Sequence, residues 1–403
     1  MSIRRTALAS FIAGAALLAA CDSLVTRAPE AGDLFDTPVD GLSAAELAAF
    51  VRGDGEFGRA FSPVDGLGPI FNNVSCASCH SGDGRGVLSN SLTRFSIGAD
   101  PALALGGPQI QDKAIAGAEA EQLPPGVHTS LRLPPPVFGV GLIEAIPEAA
   151  ILANVDSLDA DGDGVSGRPN WVTAPDFVPA TEPGGGPGLR VGRFSRKAQV
   201  SAILHQTTAA YHQDMGLTSP FLPVENTNPL ASRATEISDR VGDPELPAAT
   251  VRAVVGYLRM LAPPAPGADT PQRLRGQVVF DSIRCSSCHV ASFVAGPSPL
   301  PALTGRPVVL YSDLLLHDMG PGLADNRPDG SASGSEWRTA PLWGLRLVPQ
   351  FLNGQTLLLH DGRAHSLEDA LLAHGGEAQG ARARFAALSA ADRAALLDFV
   401  GSR

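Results

Sequence analysis

Two copies of one short motif constrain this chain more than any other feature. Cys76-Ala-Ser-Cys79-His80 and Cys285-Ser-Ser-Cys288-His289 each place two cysteines three positions apart, with a histidine directly after the second. Thiols at this spacing lie on one helical turn and can add to the two vinyl groups of one haem. The histidine then lies under the iron as its proximal ligand. The sequence therefore predicts two covalently bound c-type haems, attached through Cys76, Cys79, Cys285 and Cys288 and ligated by His80 and His289.

Two other functions use paired cysteines. A four-cysteine zinc site usually has its two pairs within about 20 residues of each other, whereas these pairs are separated by most of the chain and each is followed by a histidine. A thioredoxin-like redox pair is expected in a strand-turn-helix context, and neither motif has one. Haem attachment is the interpretation that accounts for both histidines.

The length and composition indicate two domains with long connections. A chain of 403 residues is too long for one small cytochrome. Its 44 glycines and 34 prolines predict long irregular loops around modest helices. The net charge of −11 argues against nucleic acid as a partner. It is compatible with a basic redox protein or cytochrome as electron donor, because an acidic face would steer the encounter.

The N-terminus has the pattern of a targeting segment. Arg4-Arg5 precede an apolar stretch, residues 8–20, that is too short for a good membrane span. Leu18-Ala-Ala-Cys21 resembles a bacterial lipobox, which implies a signal peptide over 1–20 and a lipid on Cys21. We therefore expect a protein on the periplasmic side of the cell envelope, anchored to a membrane, with residues 21–40 as a tether. Ordinary secretion with a free thiol is the alternative.

Capping signals and apolar periodicity outline a repeated helical unit. Ser43-Ala-Ala-Glu46 has the capping-box pattern of a helix that runs to about Arg52. An amphipathic helix is predicted over 247–261, Thr270-Pro271 opens another, and Ser389 caps the last. The predicted fold is mainly α with long irregular loops and two cytochrome c-like haem domains, residues 41–262 and 268–403, joined by the Pro/Gly-rich stretch 262–267.

Alternating acids suggest a cation loop in the first domain. Asp159, Asp161 and Asp163 occupy every second position, and a glycine follows the third. Oxygen ligands at this spacing can curl around a hard cation such as Ca²⁺. The bidentate acid usual at the twelfth position is replaced by Asn170. An Asp/Gly turn without an ion remains the alternative.

The motifs do not specify the second axial ligand of either haem iron. Met319 lies 30 residues after His289 in His317-Asp-Met-Gly320, a match to Gln213-Asp-Met-Gly216 in the first half. A thioether ligand gives a low-spin haem of relatively high potential, so Met319 is the predicted ligand of the second haem, with His317 or His360 as alternatives. For the first haem, Met215, a histidine and an open position all remain.

Several longer segments carry a family resemblance. They are GLGPIFNNVSCASCH (66–80), DGDGVSGR (161–168), YSDLLLHDMG (311–320), EWRTAPLWG (336–344) and LHDGR (359–363). From about residue 40 to the end, the chain resembles the bacterial di-haem oxidoreductases, a family described as peroxidases or CxxC-containing thiol oxidoreductases. More distantly, the second half resembles di-haem cytochrome c peroxidases. The resemblance implies one haem that transfers electrons and one where peroxide reacts.

Peroxide reduction also needs a distal acid/base that moves a proton between the peroxide oxygens. Glu144, in an apolar segment, and His128 are the residues we expect in this role. A carrier that only transfers electrons, or an iron-uptake accessory lipoprotein, would need no such acid and is the alternative function.

Overall fold

The computed structural model describes residues 32, 34–80, 82, 84–232 and 239–403. About 33% of the chain is helical and 12% is strand. Within the described residues the α-helices, in chain order, are α1 Ala44–Gly58, α2 Cys76–Cys79, α3 Val140–Ala145, α4 Glu148–Leu152, α5 Ile203–Met215, α6 Ala248–Met260, α7 Pro271–Ser282, α8 Val348–Phe351, α9 Leu367–Ala373, α10 Gln379–Ala386 and α11 Ala390–Gly401.

The strands are short and pair two by two. They are β1 Ile70–Phe71, β2 Leu92–Ser96, β3 Lys113–Ala114, β4 His128–Arg132, β5 Trp171–Thr173, β6 Leu189–Val191, β7 Phe293–Val294, β8 Pro307–Val308, β9 Leu316–Asp318 and β10 Glu336–Arg338. The antiparallel pairs are β1 with β3, β2 with β4, β5 with β6, β7 with β8 and β9 with β10. The fold is therefore mixed rather than mainly α, because segments predicted as irregular loops are tied together by backbone ladders.

The predicted helix starts are confirmed. In α1, Ser43 Oγ accepts the N–H of Glu46 at 3.3 Å, while Glu46 Oε2 accepts the N–H of Ser43 at 2.7 Å, so two otherwise unpaired donors are satisfied. Thr270 Oγ1 caps α7 by accepting from the N–H of Arg273. Ser389 caps α11 in the same way. The first of these helices is longer than predicted and ends at Gly58.

A close crossing joins α1 to α6 in the first half. A Cβ atom at Gly53 would lie 2.4 Å from the Ala253 carbonyl oxygen and 2.6 Å from Tyr257 Cβ, so only glycine permits this approach. One turn later, the Phe57 ring lies 5.4 Å from the Tyr257 ring and 6.2 Å from the ring of His80. The crossing therefore places an aromatic wall beside the first CxxCH motif.

The second half repeats this arrangement. A Cβ atom at Gly276 of α7 would lie 2.1 Å from the Ala395 carbonyl oxygen and 2.6 Å from Phe399 Cβ of α11. Phe280, four residues after the glycine, lies 5.5 Å from the Phe399 ring and 6.2 Å from the ring of His289. Each half thus packs one helix before its CxxCH motif against a helix at its end, and the internal repeat inferred from sequence is present in three dimensions.

The hydrophobic cores do not follow the predicted boundary at 262–267. A smaller core belongs to the second half alone and includes Val279, Phe280, Leu396 and Phe399. The largest core contains residues of the first half together with side chains from 293–315, such as Leu303. The segment after the second motif therefore packs into the first half, and the two helix pairs are held together by shared apolar burial.

The N-terminal predictions are only partly within the described residues. The signal peptide, Cys21 and most of the tether lie outside them. The end of the tether is packed rather than free, since Phe35 is 1% exposed and its ring lies 4.9 Å from Phe138 and 4.1 Å from Phe351. No helix of the described part of the chain has the length and apolar character needed to span a membrane.

Candidate functional site

Both CxxCH motifs open onto one continuous cavity of about 790 Å³. Its walls come from both halves: α5, α6 and the loop before α3 on one side, and α7, α9, α10 and β10 on the other. Cys76, Cys79 and His80 line it in the first half, as do Cys285, Cys288 and His289 in the second. The structure therefore brings the six predicted haem-binding residues to a common interior space.

In the first motif, the cysteines lie on a single helical turn. Ser75 caps α2 by accepting the N–H of Ser78 at 3.0 Å. Asn73 Nδ2 donates to Cys79 Sγ at 3.1 Å, which orients that thiol. Burial, reinforced by the charge of Asp214, raises the pKa of Cys79 to about 11. The thiol is therefore protonated near neutral pH.

The second motif has the same character in a tighter turn. Arg284 adopts a left-handed conformation (φ 66°), and Cys285–Ser287 form a single 3₁₀ turn. Burial raises the pKa of Cys285 to about 12 and also raises that of Cys288. The four described cysteines form no disulfide. Reactive redox cysteines need exposed thiolates with a lowered pKa, so this environment argues against a thioredoxin-like redox pair.

The two motif histidines are held as metal ligands are. His289 Nδ1 donates to the Tyr311 carbonyl at 2.7 Å, and His80 Nδ1 lies 3.4 Å from the Gly84 carbonyl. Burial lowers the pKa of each histidine to about 4. Both rings are therefore neutral, and a backbone bond at Nδ1 leaves Nε2 available for a metal.

Three arginines, one buried and two half-buried, give the cavity an anion-binding wall. Arg85, Arg196 and Arg338 line it, and no carboxylate of the described residues lies within ion-pairing distance of any of them. Arg85 Nε is buried without a hydrogen-bond partner. Burial lowers the pKa of Arg85 and of Arg338 to about 10, and burial together with the neighbouring guanidinium charges lowers that of Arg196 further. Guanidinium groups bind carboxylates through charge-assisted hydrogen bonds, so haem propionates fit this wall.

His317 is held between two acids. Its Nε2 lies 2.8 Å from Asp313 Oδ2, and its Nδ1 lies 2.8 Å from Glu377 Oε2. Burial opposes protonation, but the hydrogen bonds to Asp313, Cys288 and Glu377 raise the pKa of His317 to about 12. Both ring nitrogens are occupied by carboxylates, so the structure does not support His317 as an axial ligand.

Two other histidines and one methionine line the second half of the cavity. The His360 ring stacks on Trp337, with centroids 3.7 Å apart. Met319 lines the cavity, and its role as a ligand stays a prediction. His374 also lines it, and its charge contributes to the lowered pKa of His289, after burial. Its Nδ1 donates to the Ala370 carbonyl at 2.6 Å, which leaves Nε2 available.

His374 was missed at the sequence level. It follows α9 directly and precedes Gly375-Gly376. A histidine at a helix end before two glycines is a common C-terminal pattern, and nothing in the local sequence singles it out. It lies 85 residues after His289 in the chain, and only the fold brings both residues to one cavity.

Neither predicted distal acid/base reaches the cavity. Glu144 accepts from Arg259 Nε at 2.6 Å and from the N–H of Ile203 at 3.0 Å, so it is a buried structural ion pair. His128 is exposed at the end of β4, paired with Ser96 of β2. The geometry does not support an acid/base role for Glu144 or His128.

A different acid, Asp214, does line the cavity. Its Oδ1 accepts from Gln109 Nε2 at 2.6 Å. Burial raises the pKa of Asp214 to about 6, although the Gln109 hydrogen bond and Arg94 oppose the shift. Asp214 belongs to the Gln213-Asp-Met-Gly216 segment that the sequence singled out for its methionine. The cavity wall therefore carries a titratable carboxyl group directly beside that methionine.

The acidic loop differs from the predicted cation site. The carboxylates that converge are those of Asp156, Asp159 and Asp161, whose oxygens lie within 4.8 Å of one another. Asp163 points instead to the second motif, where its Oδ2 lies 3.3 Å from Ser287 Oγ and 3.5 Å from Arg284 Nη1. A second group of acids, Glu225, Asp239 and Glu245, was not anticipated.

Comparison with known proteins agrees with the haem interpretation. The family model described as "Di-haem oxidoreductase, putative peroxidase" matches residues 19–125 and 118–403. The chain belongs to this family. No curated protein matches the sequence. Among solved structures, hydrazine synthase of Kuenenia stuttgartiensis is similar over 94% of this chain and 96% of that chain, with 14% identity and a TM-score of 0.38. That likeness is too weak to inform function.

Membership identifies haem as the cofactor and oxidation–reduction as the general chemistry of this di-haem oxidoreductase. The two CxxCH motifs and the arginine wall are the residues of this chain that fit that cofactor.

Proposed function

We propose that this chain is a di-haem cytochrome of the cell envelope that reduces peroxide with electrons passed between two covalently attached haems. The observation that carries the proposal is that both CxxCH motifs line the same cavity. Two separate cytochromes on one chain would not need a common interior, whereas electron transfer between two centres requires that they lie close together.

Each proposed haem has its attachment residues and one proximal ligand. Cys76 and Cys79 hold the first, above His80, and the second motif provides the same groups. When bound, haem supplies the iron chemistry of peroxide reduction and one-electron storage. The protein contributes the anion-binding wall of Arg85, Arg196 and Arg338, which would neutralise propionates in a dry environment.

The two centres are expected to be unequal. Met319, the ligand predicted from sequence, and His374 both line the cavity and are the candidates for a second ligand to the haem of the second motif. On α5, Ala209 and Ala210 line the cavity with small side chains, and we infer that the first centre has the open position. An iron with an open position is what peroxide needs.

Asp214 is proposed to move the proton in the first half. With a pKa of about 6, its carboxyl can release and accept a proton near neutral pH. Acid/base groups of this kind typically contribute about 10²–10⁴-fold to a rate. Gln109 holds the Asp214 carboxylate in place through its amide group.

Location, partner and cation remain proposals from the sequence. A lipid on Cys21 would anchor the protein on the periplasmic side of a membrane, where a small redox protein or cytochrome donates electrons. Ca²⁺ at Asp156, Asp159 and Asp161 would tie down the loop that leads to Asp163 and the second motif.

The test uses holoprotein matured with haem. Intact mass should exceed the polypeptide by two haems, and electron paramagnetic resonance of resting and half-reduced protein should show one low-spin centre and one that becomes high-spin. Stopped-flow reaction with hydrogen peroxide and a reduced donor should show turnover. Asp214→Asn should lower kcat by about 100-fold, while Asp112→Asn is the matched control, since Asp112 is an exposed acid near the same network, bonded to Asn72.

Two low-spin signals in both states, without a response to peroxide, would refute the peroxidase proposal and leave an electron carrier. A mass increase of a single haem would refute the two-haem assignment. Equal effects of both asparagine substitutions would remove Asp214 from the mechanism.

A further inference from the structure

Tyr257 is a fully buried tyrosine with a carboxylate as its proton acceptor. The sequence has three tyrosines, and Tyr211, Tyr257 and Tyr311 are all buried, with exposures of 1%, 0% and 7%. The Tyr257 hydroxyl donates a hydrogen bond to the Asp54 carboxylate.

Tyr257 is joined to the first motif by one aromatic ring. Its ring centroid lies 5.4 Å from that of Phe57, and Phe57 lies 6.2 Å from the ring of His80. Phe57 lines the cavity, whereas Tyr257 stands behind it. The phenol is therefore outside the reach of a substrate in the cavity but within two ring contacts of the proximal ligand.

The repeat supplies an internal comparison. At the corresponding crossing of the second half, Phe399 occupies the place of Tyr257, with its Cβ also 2.6 Å from a Cβ added at the crossing glycine and its ring 5.5 Å from that of Phe280. A hydroxyl group is thus unnecessary for the helix crossing. If the crossing needed a hydroxyl group to join its two helices, both halves would have a tyrosine at this position. Only the first half has one.

Asp54 connects the phenol to solvent. It lies on α1, one residue after Gly53, and its side chain is exposed. Partial burial and the charge of Asp36 raise its pKa, and the hydrogen bond from Tyr257 opposes the shift. A carboxylate with this placement can accept a proton from the phenol and pass it to water.

We propose that Tyr257 is an oxidisable side chain that gives one electron toward the His80 side of the cavity, while its proton passes to Asp54. This inference rests on the proposed peroxide reduction, for which hydrogen peroxide is the oxidant. Reduction of one peroxide to two waters consumes two electrons and two protons. When the external donor has supplied only one electron, the second comes from the Tyr257 phenol.

Oxidation of Tyr257 releases one electron and one proton. The phenolic O–H bond breaks, its proton binds the Asp54 carboxylate, and a neutral tyrosyl radical remains. One electron from the donor, with the proton returned from Asp54, restores the phenol. Tyr257 would then hold an oxidising equivalent away from the substrate in the cavity. Through Asp54 it lies beside the surface, where a redox partner can reach it.

The experiment gives haem-loaded protein one electron equivalent of reduced donor, adds one equivalent of hydrogen peroxide, freezes the sample, and records the radical by electron paramagnetic resonance. Wild type and Tyr211→Phe should both give a tyrosyl signal, Tyr257→Phe should lose it, and Asp54→Asn should lower its yield. Tyr257→Phe is expected to fold, since the second half has phenylalanine at this place. Its denaturation midpoint and the absorption spectrum of the haem verify this.

Peroxide consumption is measured in the same samples, so that the two proposals can fail separately. If peroxide is consumed while Tyr257→Phe retains the radical, or while the radical lies on a tryptophan, the inference is wrong and the proposed function stands. If peroxide is not consumed, the proposed function is wrong, and an external photochemical one-electron oxidant then decides the inference. With that oxidant, a tyrosyl signal that disappears in Tyr257→Phe supports it, and an unchanged signal overturns it.

Discussion

The helix crossing of the first half predicts opposite effects for two glycine substitutions in one helix. Gly53→Ala adds a Cβ atom 2.4 Å from the Ala253 carbonyl oxygen, a backbone atom that cannot rotate away. Relief requires α1 and α6 to separate, and overpacking of this kind costs about 1–3 kcal/mol. Alanine in a helix interior returns about 1 kcal/mol relative to glycine. Because the obstacle is backbone, we take the upper part of the range and expect a net loss of about 1–2 kcal/mol.

Gly55→Ala is the matched control. Gly55 lies two residues further along α1, and a Cβ atom there would meet nothing within 4 Å. The substitution should therefore stabilise by about 0.5–1 kcal/mol. Denaturant titrations of the two holoproteins, followed by circular dichroism, measure the difference.

Gly53→Ala has a second consequence at the haem site. Separation of the helices moves Phe57 relative to His80, so the reduction potential of the first centre should shift while that of the second stays. A Gly53→Ala protein as stable as Gly55→Ala, with both potentials unchanged, would refute the close-crossing argument.

Three further predictions follow from buried charges and the acidic loop. Glu144→Gln should lower the free energy of unfolding by about 3–5 kcal/mol, since it leaves the Arg259 guanidinium partly uncompensated. Peroxide turnover per folded molecule should be unchanged, and a selective loss of kcat would contradict the structural role. Burial opposes ionisation of Asp329, but Arg132 and two other arginines lower its pKa to about 2 from 3.8. The free energy of unfolding should therefore fall by about 2 kcal/mol as the pH drops from above 4 to 2. An Asp329→Asn variant should lack this step in acid titrations. Added Ca²⁺ should raise the melting temperature of wild type and leave Asp159→Asn unchanged; equal responses would exclude that loop as the site.

The features that sequence reasoning predicted are those encoded locally. The helix starts at Ser43, Thr270 and Ser389 depend on a side chain and a backbone N–H three residues apart, so the pattern and the structure coincide. The same holds for the CxxCH motifs, in which attachment and ligation are set by adjacent residues. The duplication was visible because each copy preserves this local pattern.

The predictions that failed depended on distant partners. Glu144 was selected as an acid in an apolar segment, but Arg259 of α6, far along the chain, pairs with it. In the acidic loop, Asp156 replaces Asp163 because its carboxylate accepts the Ala160 N–H at 2.9 Å and draws the loop around itself. His374 and Asp214 acquire their significance from the cavity, whose walls come from both halves. No window of sequence contains these relationships.

The shared cavity also has a consequence for how the protein is made. Under the proposed function, thioether formation requires each vinyl group to reach a thiol, and in the folded chain Cys79 is only 7% exposed. The walls around both motifs are completed by segments far apart in the sequence, so folding restricts access to the Cys79 thiol. We therefore expect attachment to precede closure, and the first motif is available for it well before the second has emerged. In the mature protein the porphyrins would form the centre around which the last segments assemble, which makes maturation and folding one ordered process.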